Sequence, residues 1–98
     1  MQEQAQRAAA MSSGKQLGLA VLMYTQDYDE VLPTPEGIED KIEPYLKNRE
    51  LFSGFVYIFP GGSLADIKNP VETELGYVNG PKGRAIIYVD GHVKWRPD

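Results

Sequence analysis

The apolar and polar positions of this 98-residue chain change rhythm near residue 50. Before that point large apolar residues recur at steps of three or four: Leu17, Val21, Tyr24 and Tyr28, with Ala20 beside them. That spacing predicts a helix with one face turned to a core. Upstream, Gln2 to Met11 is rich in Ala, Gln, Glu and Arg and contains neither Pro nor Gly, so the helix is expected over 1–29. Pro33 and Pro35 forbid its continuation, and Val31 to Thr34 read as extended. Gly14 and Gly18 each weaken it by about 1 kcal/mol relative to Ala. The helix is lopsided. Its second half carries large side chains, whereas the stripe of its first half, Ala5, Ala8 and Ala9, offers only methyl groups. One small domain holds such a stripe weakly, which predicts another covering for Gln2 to Met11.

A short helical segment is expected over 35–47. Thr34 suits its N-cap and Pro35 its first position, with Glu36, Glu39 and Asp40 near the positive end of the dipole. Ile38, Ile42, Tyr45 and Leu46 share a face, and Pro44 should break the segment. Beyond residue 50 the pattern turns to strands. Phe55 to Phe59 ends at Pro60-Gly61-Gly62, a helical turn is expected at Leu64 to Ile67, and Glu74 to Val78 closes on Asn79-Gly80-Pro81. Two apolar runs then flank Asp90-Gly91, a pair suited to a two-residue type I′ hairpin. That turn would set Val89 against His92, Tyr88 against Val93, Ile87 against Lys94 and Ile86 against Trp95. Ile86, Tyr88, Val93 and Trp95 would then form the core face. The expected fold is α+β, a long N-terminal helix packed on a small antiparallel sheet of three to four strands over 55–96. The whole of 1–98 is expected to be one domain.

Composition narrows the chemistry. The chain has no cysteine, one histidine and a formal charge of −4, which rules out disulfides, thiolate zinc sites and a nucleophilic thiol. Seven acids and one base, Lys41, lie between Asp27 and Glu43, which argues against a phosphate-tracking surface there, and nucleic acid is not an expected partner. Leu17 to Tyr24 is the longest nearly unbroken apolar stretch, far short of the roughly 20 residues of a membrane span. No nucleophile elbow, phosphate loop or His-Glu-x-x-His motif is present, and no enzyme activity is expected. His92, with Asp90 and Gly91, reads as a turn-shaping residue on the solvent side of the hairpin.

Two further sets of residues have a functional and a plainer reading. Asp27, Asp29 and Glu30 carry oxygens that could ligate calcium, although they do not follow the twelve-residue EF-hand loop; a solvated acidic helix end is the plainer reading. Phe55, Tyr57, Phe59 and Trp95 could stack on a glycan or peptide in a monomeric surface binding module, or simply fill the core.

In order along the chain stand Lys15-Gln16-Leu17-Gly18-Leu19-Ala20, Gln26-Asp27-Tyr28-Asp29-Glu30, Pro44-Tyr45-Leu46-Lys47-Asn48, Asp66-Ile67-Lys68-Asn69-Pro70 and Val89-Asp90-Gly91-His92-Val93-Lys94-Trp95. Together they resemble bacterial type IV pilin-like proteins and type II secretion pseudopilins. The nearest branch has a prepilin-type N-terminal signal and a C-terminal Asp-Gly-His hairpin. Ser12-Ser13-Gly14 and Ser53-Gly54 stand where the family commonly has cysteines, and Gly80 where the branch signature has a histidine. The resemblance implies a non-enzymatic filament subunit of a type IV pilus or type II secretion pseudopilus. It implies a membrane-anchored protein whose head is periplasmic or extracellular at the bacterial envelope. Ala5, Ala8 and Ala9 would pack between subunits, and Met1 would be a start introduced by truncation of a hydrophobic half-helix.

Overall fold

The computed structural model describes residues 2–98 of the chain and the side chains of residues 3–98; Met1, included in the expected helix, lies outside the described residues. The chain is α+β. One helix, α1 (Gln2–Asp27), precedes two antiparallel sheets. The smaller pairs β1 (Val31–Leu32) with β3 (Gly62–Ser63), and the larger has the order β2-β4-β5-β6. Those strands are β2 (Phe55–Tyr57), β4 (Glu74–Gly80), β5 (Gly83–Tyr88) and β6 (Val93–Pro97). At 1.5 Å per residue the 26-residue α1 is about 39 Å long, nearly the 43 Å long axis of the molecule.

Helix α1 lies across the four-stranded sheet, packing chiefly on β5 and β4. Leu17, Ala20 and Val21 are buried with Leu32, Ile42, Leu75, Val78, Ala85, Ile87 and Val89 in one core. The helix ends two residues before the expected Asp29. The Glu30 amide donates to the Thr25 carbonyl at 2.8 Å, the long-range bond of a Schellman motif, with Asp29 at φ 58° in the left-handed position. Glu30 follows at φ 62°.

The segment expected as a helix over 35–47 is shorter and starts later. Pro35 belongs to a turn, closed by the Ile38 amide donating to its carbonyl, and Gly37 at φ 65° is the N-cap in place of Thr34. The Thr34 hydroxyl instead accepts from Lys41 Nζ at 3.0 Å. Helix α2 (Ile38–Ile42) gives way to a 3₁₀ turn at Glu43–Tyr45, the break expected at Pro44. The strand expected through Phe59 stops at Tyr57, because Ile58 and Phe59 both donate to the Leu75 carbonyl at a bulge in β4. Strand β4 runs on to Gly80 and turns through Pro81-Lys82, with Lys82 at φ 59°.

The last hairpin corrects the expected register by one residue. Ile87 pairs with Val93, Ile86 with Lys94 and Ala85 with Trp95. The connection is a three-residue loop, Val89-Asp90-Gly91. Gly91 donates to the Tyr88 carbonyl at 2.9 Å, and Tyr88 donates to the His92 carbonyl at 3.0 Å. Only Gly91, at φ 93°, is in the positive-φ region, so the loop is a type I turn with a glycine bulge rather than the type I′ pair. One residue of slip exchanges faces. The side under α1 carries Ala85, Ile87, Val89, Val93 and Trp95, and the outer side carries Arg84, Ile86, Tyr88, His92, Lys94 and Arg96. Ile86 and Tyr88 thus leave the face on which they were expected.

Candidate functional site

Helix geometry divides α1 into two faces. Ala10, Gly14, Leu17, Gly18, Val21 and Thr25 are buried within one arc, where Gly14 and Gly18 meet Ile87 of the sheet, and Ala20 is buried outside that arc. Thr25 is satisfied there because its hydroxyl donates to the Val21 carbonyl at 2.7 Å. On the opposite side Ala5, Ala8, Ala9, Ser12, Gln16, Leu19 and Met23 are all exposed and fall within an arc of about 100°. None of them is charged. A solvated helix face ordinarily carries charge, and here it carries methyls, short polar groups and two large apolar side chains, Leu19 58% and Met23 40% exposed. Beside it, Gln16, Leu19, Tyr45, Leu46 and Lys47 line a shallow cavity of about 170 Å³.

The structure brings Ala5, Ala8 and Ala9 together on this stripe and extends it. Sequence reading stopped at the small residues and missed Leu19 and Met23. The available signal was the helical phase: of the exposed positions from Ala5 to Met23, the charged Arg7 and Lys15 fall outside the arc that holds Ala5, Ala8, Ala9, Ser12, Gln16, Leu19 and Met23.

The first half of α1 is held at few points. The Arg7 guanidinium lies 5.0 Å over the Trp95 ring, and Lys82 Nζ is 3.1 Å from Glu3. Ala10 reaches the end of the sheet, where the close approach of Trp95 leaves no room for a side chain at Gly80 or Gly83; an added Cβ would lie 2.8 Å from the indole at either.

The calcium candidates do not converge. Asp27, Asp29 and Glu30 are exposed, and Asp27 accepts a hydrogen bond from the Tyr45 hydroxyl at 2.5 Å. That bond pushes the Tyr45 hydroxyl up to about 12, with desolvation and the Asp27 charge adding to it. Among the described residues no three His, Asp or Glu side chains gather as metal ligands.

Asp90, Gly91 and His92 form a local unit. Asp90 Oδ1 accepts from the His92 amide at 3.1 Å and lies 2.5 Å from His92 Nδ1. The imidazole contact holds the Asp90 carboxyl below the usual carboxylate range. The His92 ring stacks on Tyr88 at 4.2 Å with planes 2° apart. These contacts tie Asp90 and His92 together across the turn. Phe55, Tyr57, Phe59 and Trp95 pack against the core, and burial pushes the Tyr57 hydroxyl above the ordinary tyrosine range while it donates to the Pro33 carbonyl at 2.8 Å.

No helix is long and apolar enough to cross a membrane among the described residues. Comparison with protein-family models, with curated proteins and with solved structures finds no match.

Proposed function

We propose that the chain is the head of a filament subunit of the type IV pilin or type II secretion pseudopilin kind, assembling through α1. The observation that carries this reading is the uncharged outward stripe of α1, running from Ala5 to Met23 opposite the buried face. Small residues let helices approach closely, and Leu19 and Met23 supply the apolar area that small residues lack. The α-then-β order and the ordered sequence landmarks support the same reading. Tyr57 is buried in the core and Phe55, Phe59 and Trp95 are half-buried against it, which favours this reading over a monomeric module that would hold all four open to a peptide or glycan. In this reading the subunit is not an enzyme, and an apolar segment preceding the head anchors it in the bacterial inner membrane. Calcium has no assigned role.

The test is disulfide crosslinking in cells that produce the full-length protein. Ala8→Cys combined with Ser12→Cys or Leu19→Cys should yield a ladder of crosslinked subunits, with Glu50→Cys as the uncrosslinked control. If helix pairs never crosslink between subunits under oxidising conditions, assembly through this face is wrong.

A further inference from the structure

The outer face of the four-stranded sheet, turned away from α1, carries a polar trough. Two adjoining hollows of about 260 and 350 Å³ share Tyr88, Lys94 and Arg96, and together they reach from His92 to Pro97 along β6. At about 3.3 Å per residue the trough is about 16 Å long. Its larger part, about 350 Å³, falls at the low end of the roughly 300–1,000 Å³ of small-molecule sites. The floor is apolar. Ile86 and Tyr88 are 1% and 8% exposed although they stand outside the core cluster, because Lys94 pairs beside Ile86 and Arg96 crosses the face from β6 to reach Glu74 on β4 at 2.9 Å.

The rim mixes signs: Glu72 and Glu74 stand with Lys94 and Arg96 around the larger hollow. Part of it is held in place before any ligand arrives. Glu74 fixes Arg96, and Asp90 engages His92 at Nδ1 while the imidazole stacks on Tyr88, which leaves Nε2 as the ring nitrogen available to a ligand. Lys94 makes no ion pair among the described residues. An ion of either sign would meet like charge on this rim, whereas a chain of hydroxyls, each able to donate and to accept, finds a partner for both roles. A single zwitterionic amino acid is short for the length of the trough. An extended peptide has the length, but its amides need a free strand edge, and the backbone groups of β5 and β6 on this face are committed to each other.

We infer that this trough binds a neutral oligosaccharide, with Glu72, Lys94 and His92 Nε2 bonding its hydroxyls over the floor of Ile86 and Tyr88. The site is separate from Phe55, Tyr57 and Phe59 and from the α1 stripe, so it neither requires assembly through α1 nor competes with it.

Titration of the isotope-labelled 98-residue chain with cellotriose, mannotriose and chitotriose, followed by amide chemical shifts, tests it. At least one of these sugars should give saturable shifts centred on Tyr88, His92, Lys94 and Arg96, with half-saturation at or below about 10 mM. The affinity should hold between ionic strengths of about 0.01 M and about 1 M, as it does for an uncharged ligand. Glu72 and Lys94 are exposed, so Glu72→Ala and Lys94→Ala should leave the thermal melt unchanged while each weakens binding about tenfold. Leu19→Lys with Met23→Lys should leave binding intact, since both lie on the α1 stripe. The inference is overturned if none of the three sugars gives a saturable shift up to about 10 mM, or if the shifts map away from the trough. It is overturned equally if neither trough variant alters the affinity. Tighter binding of trigalacturonate, free glutamate or triglycine than of any neutral trisaccharide would assign the trough to an anion, a zwitterion or a peptide, and would also overturn it.

Discussion

The two halves of α1 are continuous in backbone and opposite in how they are held. From Gly14 to Asp27 the helix drives Leu17, Val21 and Ala20 into the core, against Ile87 and Val89. From Glu3 to Ser13 it is held through Ala10, the half-buried Met11 against the core, the Arg7–Trp95 contact and the Glu3–Lys82 pair. Apolar area decides the contrast, at roughly 25 cal/mol per Å² removed from water. A leucine side chain brings far more of it than an alanine methyl, and exposed charge pairs contribute little. One half of the helix is therefore part of the fold, and the other is carried by it. A long helix anchored at one half only is suited to offering the rest to another surface.

The largest effect that tests this contrast is a core truncation. Leu17 is 0% exposed, so Leu17→Ala should destabilise by about 2–5 kcal/mol, read as a lowered midpoint in urea. Ala8→Ser, on the exposed side, should change stability by no more than about 0.5 kcal/mol. Similar losses from both would erase the distinction.

Trp95→Ala probes the carried half. The ring is only half-buried, so the expected loss is about 2 kcal/mol, below the roughly 3–5 of a fully buried ring. Its distinguishing readout is local. Amides from Arg7 to Ser13 should exchange with solvent markedly faster, while those from Leu17 to Thr25 slow down or speed up only in step with global stability. Uniform acceleration along α1 would mean that the helix is held as one piece.

The pattern of legibility follows the same division. Leu17, Val21 and Tyr24 announced the docked half because burial selects large residues at helical spacing. The hairpin was visible in Asp90-Gly91, but its register was not. A Gly after Asp serves both a type I′ turn and a type I turn with a glycine bulge, and the choice moved Ile86 and Tyr88 to the outer face. Strand β1 was visible only as an extended stretch, since a two-residue pairing with Gly62-Ser63 has too few positions for an alternating pattern. The start of α2 was misplaced because Thr34-Pro35 is a good cap pair locally, while Gly37 can take the left-handed conformation that the observed cap uses. For the candidate site, Ala5, Ala8 and Ala9 were legible as small residues. Leu19 and Met23 were not, because an apolar residue in a helix reads as core until its phase against the sheet is known.

Two glycines at the boundary between the halves sharpen the comparison further. A Cβ at Gly14 would rest 3.4 Å from Ile87 and Val93, an ordinary contact, so Gly14→Ala should gain about 0.5–1 kcal/mol from helix propensity. A Cβ at Gly18 would lie 2.9 Å from Ile87 Cγ2. Ile87 is buried and stiff at χ1, so overpacking of about 1–3 kcal/mol outweighs the same propensity gain, and Gly18→Ala should be a net loss of about 1 kcal/mol. Thermal melts of the two variants should therefore move in opposite directions. A gain at Gly18 would show that the docked half is packed less tightly than the contact implies.

The smallest effect lies at the C-terminal end of the docked half and shows itself only at alkaline pH. The Tyr45 hydroxyl donates to Asp27 and stacks edge-on to Tyr24, tying the end of α1 to the Glu43–Tyr45 turn. Because that hydrogen bond raises the Tyr45 pKa from 10.0 to about 12, its contribution to stability is complete below pH 10. It is lost as pH rises through about 12, where the folded form ionises. Tyrosinate absorbance should therefore show Tyr45 and Tyr57 both ionising late. Tyr45→Phe should remove one late-titrating group and flatten the alkaline fall in stability, leaving the outward stripe unaltered. If Tyr45→Phe leaves the late ionisation unchanged, the Asp27 bond does not persist in solution, and the end of α1 is freer than the rest of its docked half.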